Sequence, residues 1–340
     1  MRRLWQHDGV LVRFNKELAQ AFGFDPGQAR RIFCVSSGAV WAGTSAKPPG
    51  KRVKYSPLTP KDFSEGRVFR VFAKGLPVME AKGCGRITGH GMEPIDPYGP
   101  YETGPPGGLW LGFALKEYDR GIRVWKSGVR VCNIPLCVVT LPFFVNVKKG
   151  SRVGRKRLAV EGRLLLQPLR IEDVCWMIKT RPLAAAKLVK HFGFGSVSEY
   201  TLFFCGSFGS NLRSLFDAGL THFALWNGGD VGMFGEIADF DSIHGLNARD
   251  LADCVDGAFS TVRRLILAAG VRGERHWNAF VTSLLGEPAS ANSKEELYSL
   301  VTGQLLACYV GMRRPARWLL IPKFNLPEHK VGYFSNLAVK

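Results

Sequence analysis

The sequence of 340 residues lacks the features that mark secreted, membrane-spanning and zinc-binding proteins. No stretch reaches the ~18 uninterrupted apolar residues that span a bilayer, since even residues 131–147 contain two prolines and two asparagines. The basic amino terminus is not followed by an apolar run, which argues against a secretory signal. The eight cysteines form no Cys-x-x-Cys pair and show no zinc-finger spacing with histidine. We therefore expect a cytoplasmic protein with reduced cysteines and no membrane span.

Acidic residues are also scarce relative to basic ones. The chain has 46 Lys and Arg against 28 Asp and Glu, which gives a net charge of +18. This surplus favours anionic partners such as nucleotides, nucleic acid or an acidic protein surface, without selecting one of them. No base-reading motif is evident, so any nucleic-acid binding is expected to be independent of sequence and to weaken steeply with salt. The hydrophobic share of 46% is enough for a sizeable core and excludes global disorder.

Strand patterns dominate the first half of the chain. Apolar-biased runs on either side of a Lys-Gly-Leu-Pro turn predict a hairpin over residues 68–82. Apolar residues at helical spacing predict a helix between residues 108 and 128, and buried strands are expected over 131–147 and 158–167. We assign these elements to a β-rich amino-terminal lobe, residues 1–168.

Helical patterns dominate after Pro168, with the longest candidate at residues 248–269. One glycine-rich hairpin interrupts them, in which residues 222–226 are expected to pair with residues 236–240. We assign residues 169–340 to a mainly helical carboxy-terminal lobe with a metal-binding hairpin loop. A β-rich half joined to a helical half with one embedded hairpin predicts an α+β, bilobal, protein-kinase-like fold.

Lys82 stands at the end of an expected inner strand, and Glu117 follows 35 residues later on an expected helix. In kinase-like sites such a lysine neutralises nucleotide phosphates, and a helix glutamate orients it because an ammonium on a flexible stem needs a fixed partner. We therefore predict an ion pair between Lys82 and Glu117. The alternative is that both are ordinary surface residues.

Oxygen ligands cluster in the expected hairpin loop of the second half. Asp239 opens an Asp-Phe-Asp-Ser stretch, and Asn227 and Asp230 enclose two glycines. Carboxylate and amide oxygens suit Mg²⁺, which leaves its other positions to water and phosphate oxygens. We predict that Asn227, Asp230 and Asp239 bind Mg²⁺. The alternative is a plain β-turn, since Asn-Gly-Gly-Asp is also ordinary hairpin chemistry.

Arginines complete the set of candidate phosphate ligands. Arg163 and Arg170 lie seven residues apart at the expected junction of the lobes, and guanidinium groups bind phosphate oxygens in bidentate fashion. A basic stretch at residues 148–157 would suit a phosphate backbone. Solvated arginines and an exposed basic turn are the respective alternatives.

The order and spacing of these residues resemble the selenoprotein O family, kinase-fold proteins that transfer AMP from ATP to protein hydroxyls. The resemblance extends over about residues 10–242 and is strongest over residues 82–128. The residues that match the family's motifs are Lys82-Gly83-Cys84-Gly85-Arg86, Gly107-Gly108-Leu109, Lys116-Glu117-Tyr118 and Gly128-Val129.

The resemblance implies that Lys82, Arg86, Glu117, Arg163 and Arg170 bind ATP, with the two later arginines on its phosphates. It also implies an oxygen ligand nine residues before the metal-binding Asp239, a position that Asp230 occupies. The family's catalytic aspartate falls on Gly229, and Asp230 or Asp241 could take its place. Asp230 and Asp239 are the candidates for the catalytic role.

Two classes of function stay open on this basis. The first is an ATP- and Mg²⁺-dependent transferase that moves AMP onto a protein Ser, Thr or Tyr. The second is an inactive pseudokinase or a basic protein that binds nucleic acid without sequence preference.

Overall fold

The computed structural model describes residues 2–36, 51–55, 68–71, 76–83, 108–149, 152–226 and 228–323. The chain divides into two compact units. The first contains residues 1–122 and 133–166, and the second contains residues 123–132 and 167–340. The domain boundary placed after residue 168 from the sequence stays a prediction.

The first unit holds most of the described strands and the first three helices. Its strands are β1 (Arg2–Gln6), β2 (Val10–Phe14), β3 (Val35–Ser36), β4 (Lys51–Tyr55), β5 (Val68–Val71), β6 (Met79–Lys82), β7 (Asn133–Lys149) and β8 (Arg152–Leu165). Its helices are α1 (Lys16–Ala21), α2 (Pro26–Phe33) and α3 (Leu111–Lys126), of which α3 passes into the second unit at Arg123.

An antiparallel five-stranded sheet in the order β2-β7-β8-β6-β5 organises the first unit, and a smaller sheet has the order β3-β1-β4. A cluster of buried side chains on one face of the large sheet contains Leu109, Ala114, Tyr118, Val138 and Ala159. Helix α3 therefore packs on the face to which alternate residues of β8 point, because side chains alternate along a strand.

The second unit is mainly helical. It contains α4 (Ile171–Thr180), α5 (Pro182–His191), α6 (Val197–Asp217), α7 (Ala248–Ala269), α8 (Gly273–Leu285) and α9 (Lys294–Val310), together with the paired strands β9 (Leu220–His222) and β10 (Ile243–Gly245). Short 3₁₀ helices lie at Phe240–Ser242 and Arg317–Leu320. In the described part of the chain, no helix combines the length and the hydropathy that crossing a bilayer requires.

Local signals account for several elements. Helix α7 has the bounds that were predicted, since the Asn247 side chain accepts from Asp250 N and Gly270 ends the helix at φ 62°. The predicted hairpin is present as β5 and β6. The mixed helix and strand composition is confirmed, and the kinase-like bilobal arrangement stays a prediction.

One predicted pairing was wrong. Residues 222–226 do not pair with residues 236–240; instead β9 pairs with β10, so the hairpin is formed by residues before 223 and after 242. The strands expected over residues 131–147 and 158–167 are present as β7 and β8, and they extend into the basic stretch, with residue 148 paired to 153 and residue 149 to 152. Consecutive basic residues offer no periodicity from which a strand could be predicted, so only the ladder shows it.

Candidate functional site

Lys82 is the last residue of β6, and its side chain is buried at 5% exposure. Its Nζ donates to Glu117 Oε1 at 2.7 Å and to Glu117 Oε2 at 2.9 Å. Glu117 lies on α3 and is fully buried. The predicted ion pair is therefore confirmed, and the alternative of two solvated surface residues is wrong.

The register between β6 and β8 places further charged residues next to the ion pair of Lys82 and Glu117. Lys82 lies directly opposite Glu161, and Glu80 lies directly opposite Arg163. These four residues share one face of the sheet because residues two apart on a strand point the same way. All four are buried, none being more than 7% exposed. We call these residues and Glu117 the charge cluster.

Arg163 links the carboxylates of the charge cluster. Its Nη2 donates to Glu117 Oε1 in a very short contact, and it donates to Glu161 Oε2 at 2.6 Å. Glu117 thus accepts from Lys82 and Arg163 at once. The predicted role of Arg163 on a nucleotide phosphate stays a prediction, but its guanidinium is already engaged by two carboxylates of the same unit.

Glu161 is the least satisfied member of the cluster. Its Oε2 accepts from Arg163, whereas its Oε1 has no hydrogen-bond partner among the described residues. Burial raises the pKa of Glu161 to about 8; Arg163 lowers it and Glu117 raises it again. The side chain therefore holds its proton more tightly than an exposed glutamate does.

Gly83 allows the chain to turn directly after Lys82. Its φ is +97°, and a Cβ built there would lie 2.6 Å from Leu109 Cβ and 2.7 Å from Ala159 O. A larger residue would have to move both the start of the α3 segment and the β8 backbone. The glycine after the lysine is thus required by the close approach of these segments.

In the second unit, Asp239 has an unusual backbone conformation. Its φ of 56° and ψ of 75° lie in the left-handed region, and it is the only non-glycine residue of the described chain with positive φ. The residues that follow form the short 3₁₀ helix. A carboxylate oxygen of Asp239 and one of Asp241 lie within 4.8 Å of each other. Strained positions of this kind concentrate at functional sites.

His222 fixes the backbone before Asp239. Ala224 N donates to its Nδ1 at 3.3 Å, so the proton resides on Nε2, which donates to Ala238 O at 2.8 Å. Burial lowers the pKa of His222, which keeps the ring neutral. Sequence reasoning missed this residue, although a histidine at a strand end before a glycine-rich loop was a usable signal.

Asp230 lies beside the Asp239 segment. Its carbonyl accepts from Ala238 N at 2.8 Å, which brings the backbones of Asp230 and Asp239 to adjacent positions. Their oxygen donors are of the type that Mg²⁺ prefers, and Asp241 adds a carboxylate that is not among the predicted metal ligands. The binding of a metal ion by these residues remains a prediction.

The predicted site residues still to be placed are Arg170, Arg86 and Asn227. Arg170 is the N-cap of α4; its backbone N–H donates to Asp173, and its side chain donates to Gln167 O at 3.2 Å. Arg86 and Asn227 lie outside the described residues.

The sequence analysis did not identify Glu80 and Glu161 as site residues. Charged residues in an otherwise apolar strand, as in Glu161-Gly162-Arg163, are a sign of buried charge that could have indicated them.

Comparison with protein-family models and with curated proteins found no match to this chain.

Proposed function

We propose that this chain is an ATP- and Mg²⁺-dependent transferase of protein-kinase-like, bilobal fold that moves AMP onto protein hydroxyls. The observation that carries the proposal is the buried ion pair of Lys82 with Glu117. A lysine held by a helix glutamate at the end of a sheet strand is the device by which kinase-like proteins bind nucleotide phosphates. Burial of two charges is costly, and the direct contact of Lys82 with Glu117 offsets part of that cost.

The second unit supplies the candidate metal ligands. Asp239 and Asp241 present two carboxylates close together, and Asp239 has a backbone conformation that side chains rarely adopt. Their oxygens fit Mg²⁺ in type, and Asp230 lies on the adjacent segment. A magnesium ion bound there would neutralise charge on phosphate oxygens.

The proposed reaction is the attack of a Ser, Thr or Tyr hydroxyl on the α-phosphorus of ATP. The new bond joins the hydroxyl oxygen to phosphorus, the bond to the bridging oxygen breaks, and pyrophosphate leaves. Asp230 is the candidate base for the hydroxyl proton because Gly229 occupies the place where the resemblance puts the catalytic aspartate. An inactive nucleotide-binding protein is the alternative that the same glycine favours.

We expect ATP with Mg²⁺ to raise the melting temperature, and we expect Lys82→Ala to remove this shift. Asp239→Asn should remove only the part that depends on Mg²⁺, because the lysine still binds phosphate. The measurement is a thermal-shift series with ATP and Mg²⁺, ATP and chelator, and a short nucleic-acid duplex at equal ionic strength.

Matched variants at exposed positions are the controls for this series. Lys187→Ala on α5 and Asp119→Asn on α3 change the same residue types, and both should respond as the parent does. A parent protein without any shift, or a Lys82→Ala variant with the full shift, contradicts nucleotide binding at Lys82. A shift with the duplex alone supports the nucleic-acid alternative.

We expect protein-bound label from ATP labelled at the α-phosphate and none from ATP labelled at the γ-phosphate. The two labels distinguish transfer of AMP from transfer of the terminal phosphate. Label from the γ position only would identify a kinase. Binding of ATP without label from either position would identify a pseudoenzyme.

A further inference from the structure

Two buried carboxylates of the charge cluster meet at one nitrogen atom. Arg163 Nη2 donates to Glu117 Oε1 and to Glu161 Oε2, so these two carboxylates lie close together. Glu80, on the same face, lies directly opposite Arg70 of β5. Two ionised carboxylates so close together repel each other strongly where water is excluded, and uptake of one proton by one of them removes this repulsion.

The hydrogen bonds identify Glu161 as the carboxylate that takes the proton. Both oxygens of Glu117 accept from Lys82, and Oε1 accepts from Arg163 as well. Glu80 Oε2 accepts from Asn133 Nδ2 at 3.2 Å. Only Glu161 has a fully buried oxygen without a partner among the described residues of the cluster.

Among the described residues, several titratable groups lie around Glu161. Lys82 and Glu80 face it from β6, Arg163 lies two residues on along β8, and Glu117 and Tyr118 face it from α3. On β7 the residue directly opposite Glu161 is Val138, and Cys137 beside it lies on the other face of the sheet. Burial raises the pKa values of both Cys137 and Tyr118, so these two stay neutral. The protonation of Glu161 therefore changes the charge of the cluster by one unit.

We propose that Glu161 is a positioning residue that carries a proton while Lys82 binds a nucleotide phosphate, and that ionisation of Glu161 weakens this binding. The inference rests on the proposed nucleotide site. A phosphate that approaches Lys82 meets one negative charge fewer when Glu161 is protonated than when it is ionised. Because like charges repel strongly where water is excluded, binding of a nucleoside triphosphate and the proton on Glu161 support each other.

The first test uses the protein without nucleotide. Glu161→Gln imitates the protonated side chain, so its stability should not respond to this ionisation. The pKa of Glu161 is higher in the folded than in the unfolded chain, so its contribution to stability is complete below pH 4.5 and is lost as the pH rises towards about 8. Relative to the variant, the parent's folding equilibrium constant should fall by about tenfold per pH unit between pH 5.5 and 7.5.

The second test measures the affinity for ATP with Mg²⁺ by calorimetry from pH 7 to pH 9.5. We expect the parent's dissociation constant to rise by up to about tenfold per pH unit above pH 8, and we expect that of Glu161→Gln to stay constant. Glu287→Gln, at an exposed position, is the matched control and should follow the parent.

The outcomes separate the two proposals. Parallel stability curves for the parent and Glu161→Gln would overturn the inference, because Glu161 would then hold no extra proton. A parent affinity with the same pH dependence as that of Glu161→Gln would overturn it as well, while nucleotide binding would stand. Absence of binding at every pH would contradict the proposed function, and the stability comparison would still decide whether Glu161 is protonated.

Discussion

Replacing Glu117 by glutamine is expected to lower the free energy of unfolding by about 3–5 kcal/mol, because it leaves Lys82 and Arg163 without the carboxylate that they share. The glutamine keeps the shape of the side chain, so the loss would report the charge and not a cavity. Urea denaturation at pH 7 measures it. The variant should also lower the pKa of Glu161, since Glu117 is one of the groups that raise it.

Asp119→Asn is the control for this prediction. It makes the same chemical change two residues further along α3, where the carboxylate is 57% exposed and pairs with the exposed Arg13. Exposed pairs contribute at most about 1 kcal/mol. Adding Lys82→Met to Glu117→Gln should restore part of the lost stability, because the double variant removes opposite charges together. Equal small losses for Glu117→Gln and Asp119→Asn would show that the cluster is not electrostatically coupled.

Replacing Asn211 by leucine is expected to have the second largest effect, a loss of ~3 kcal/mol or more. Asn211 is buried on α6; its Oδ1 accepts from Arg130 N at 2.8 Å, and its Nδ2 donates to Arg130 O and Gly235 O, each at 2.9 Å. A leucine of similar size leaves these three backbone groups without that partner, and each costs about 1–3 kcal/mol if it finds no other.

Hydrogen exchange and a graded variant test the role of Asn211. The Arg130 amide should exchange faster in Asn211→Leu, because its acceptor is lost. Asn211→Asp keeps the acceptor for that amide and loses both donated bonds, so its stability should lie between parent and leucine variant. Ser210→Ala, on an exposed position of α6, is the control and should change stability by less than about 0.5 kcal/mol. An unchanged Arg130 exchange rate in the leucine variant would contradict the assignment.

The sequence indicated the importance of Glu117 but not that of Asn211. Glu117 could be paired with Lys82 because each had a place in a strand or helix pattern and because kinase-like sites need such a pair. Asn211 lies in the half of the chain where helical patterns dominate and shows no local signal, since its partners Arg130 and Gly235 lie 81 and 24 residues away. Contacts of that range depend on how α6 packs and cannot be obtained from periodicity.

The sequence by itself determined the elements whose signals are local. Asn247 and Gly270 bound α7 because a side-chain cap and a left-handed glycine act within one turn, and the apolar runs of β5 and β6 specified their hairpin. The tertiary structure alone decided that β9 pairs with β10 and that Glu161 lies opposite Lys82. The physical reason is that strand register is set by packing across the whole sheet, and a shift of one residue would have moved Glu161 to the other face.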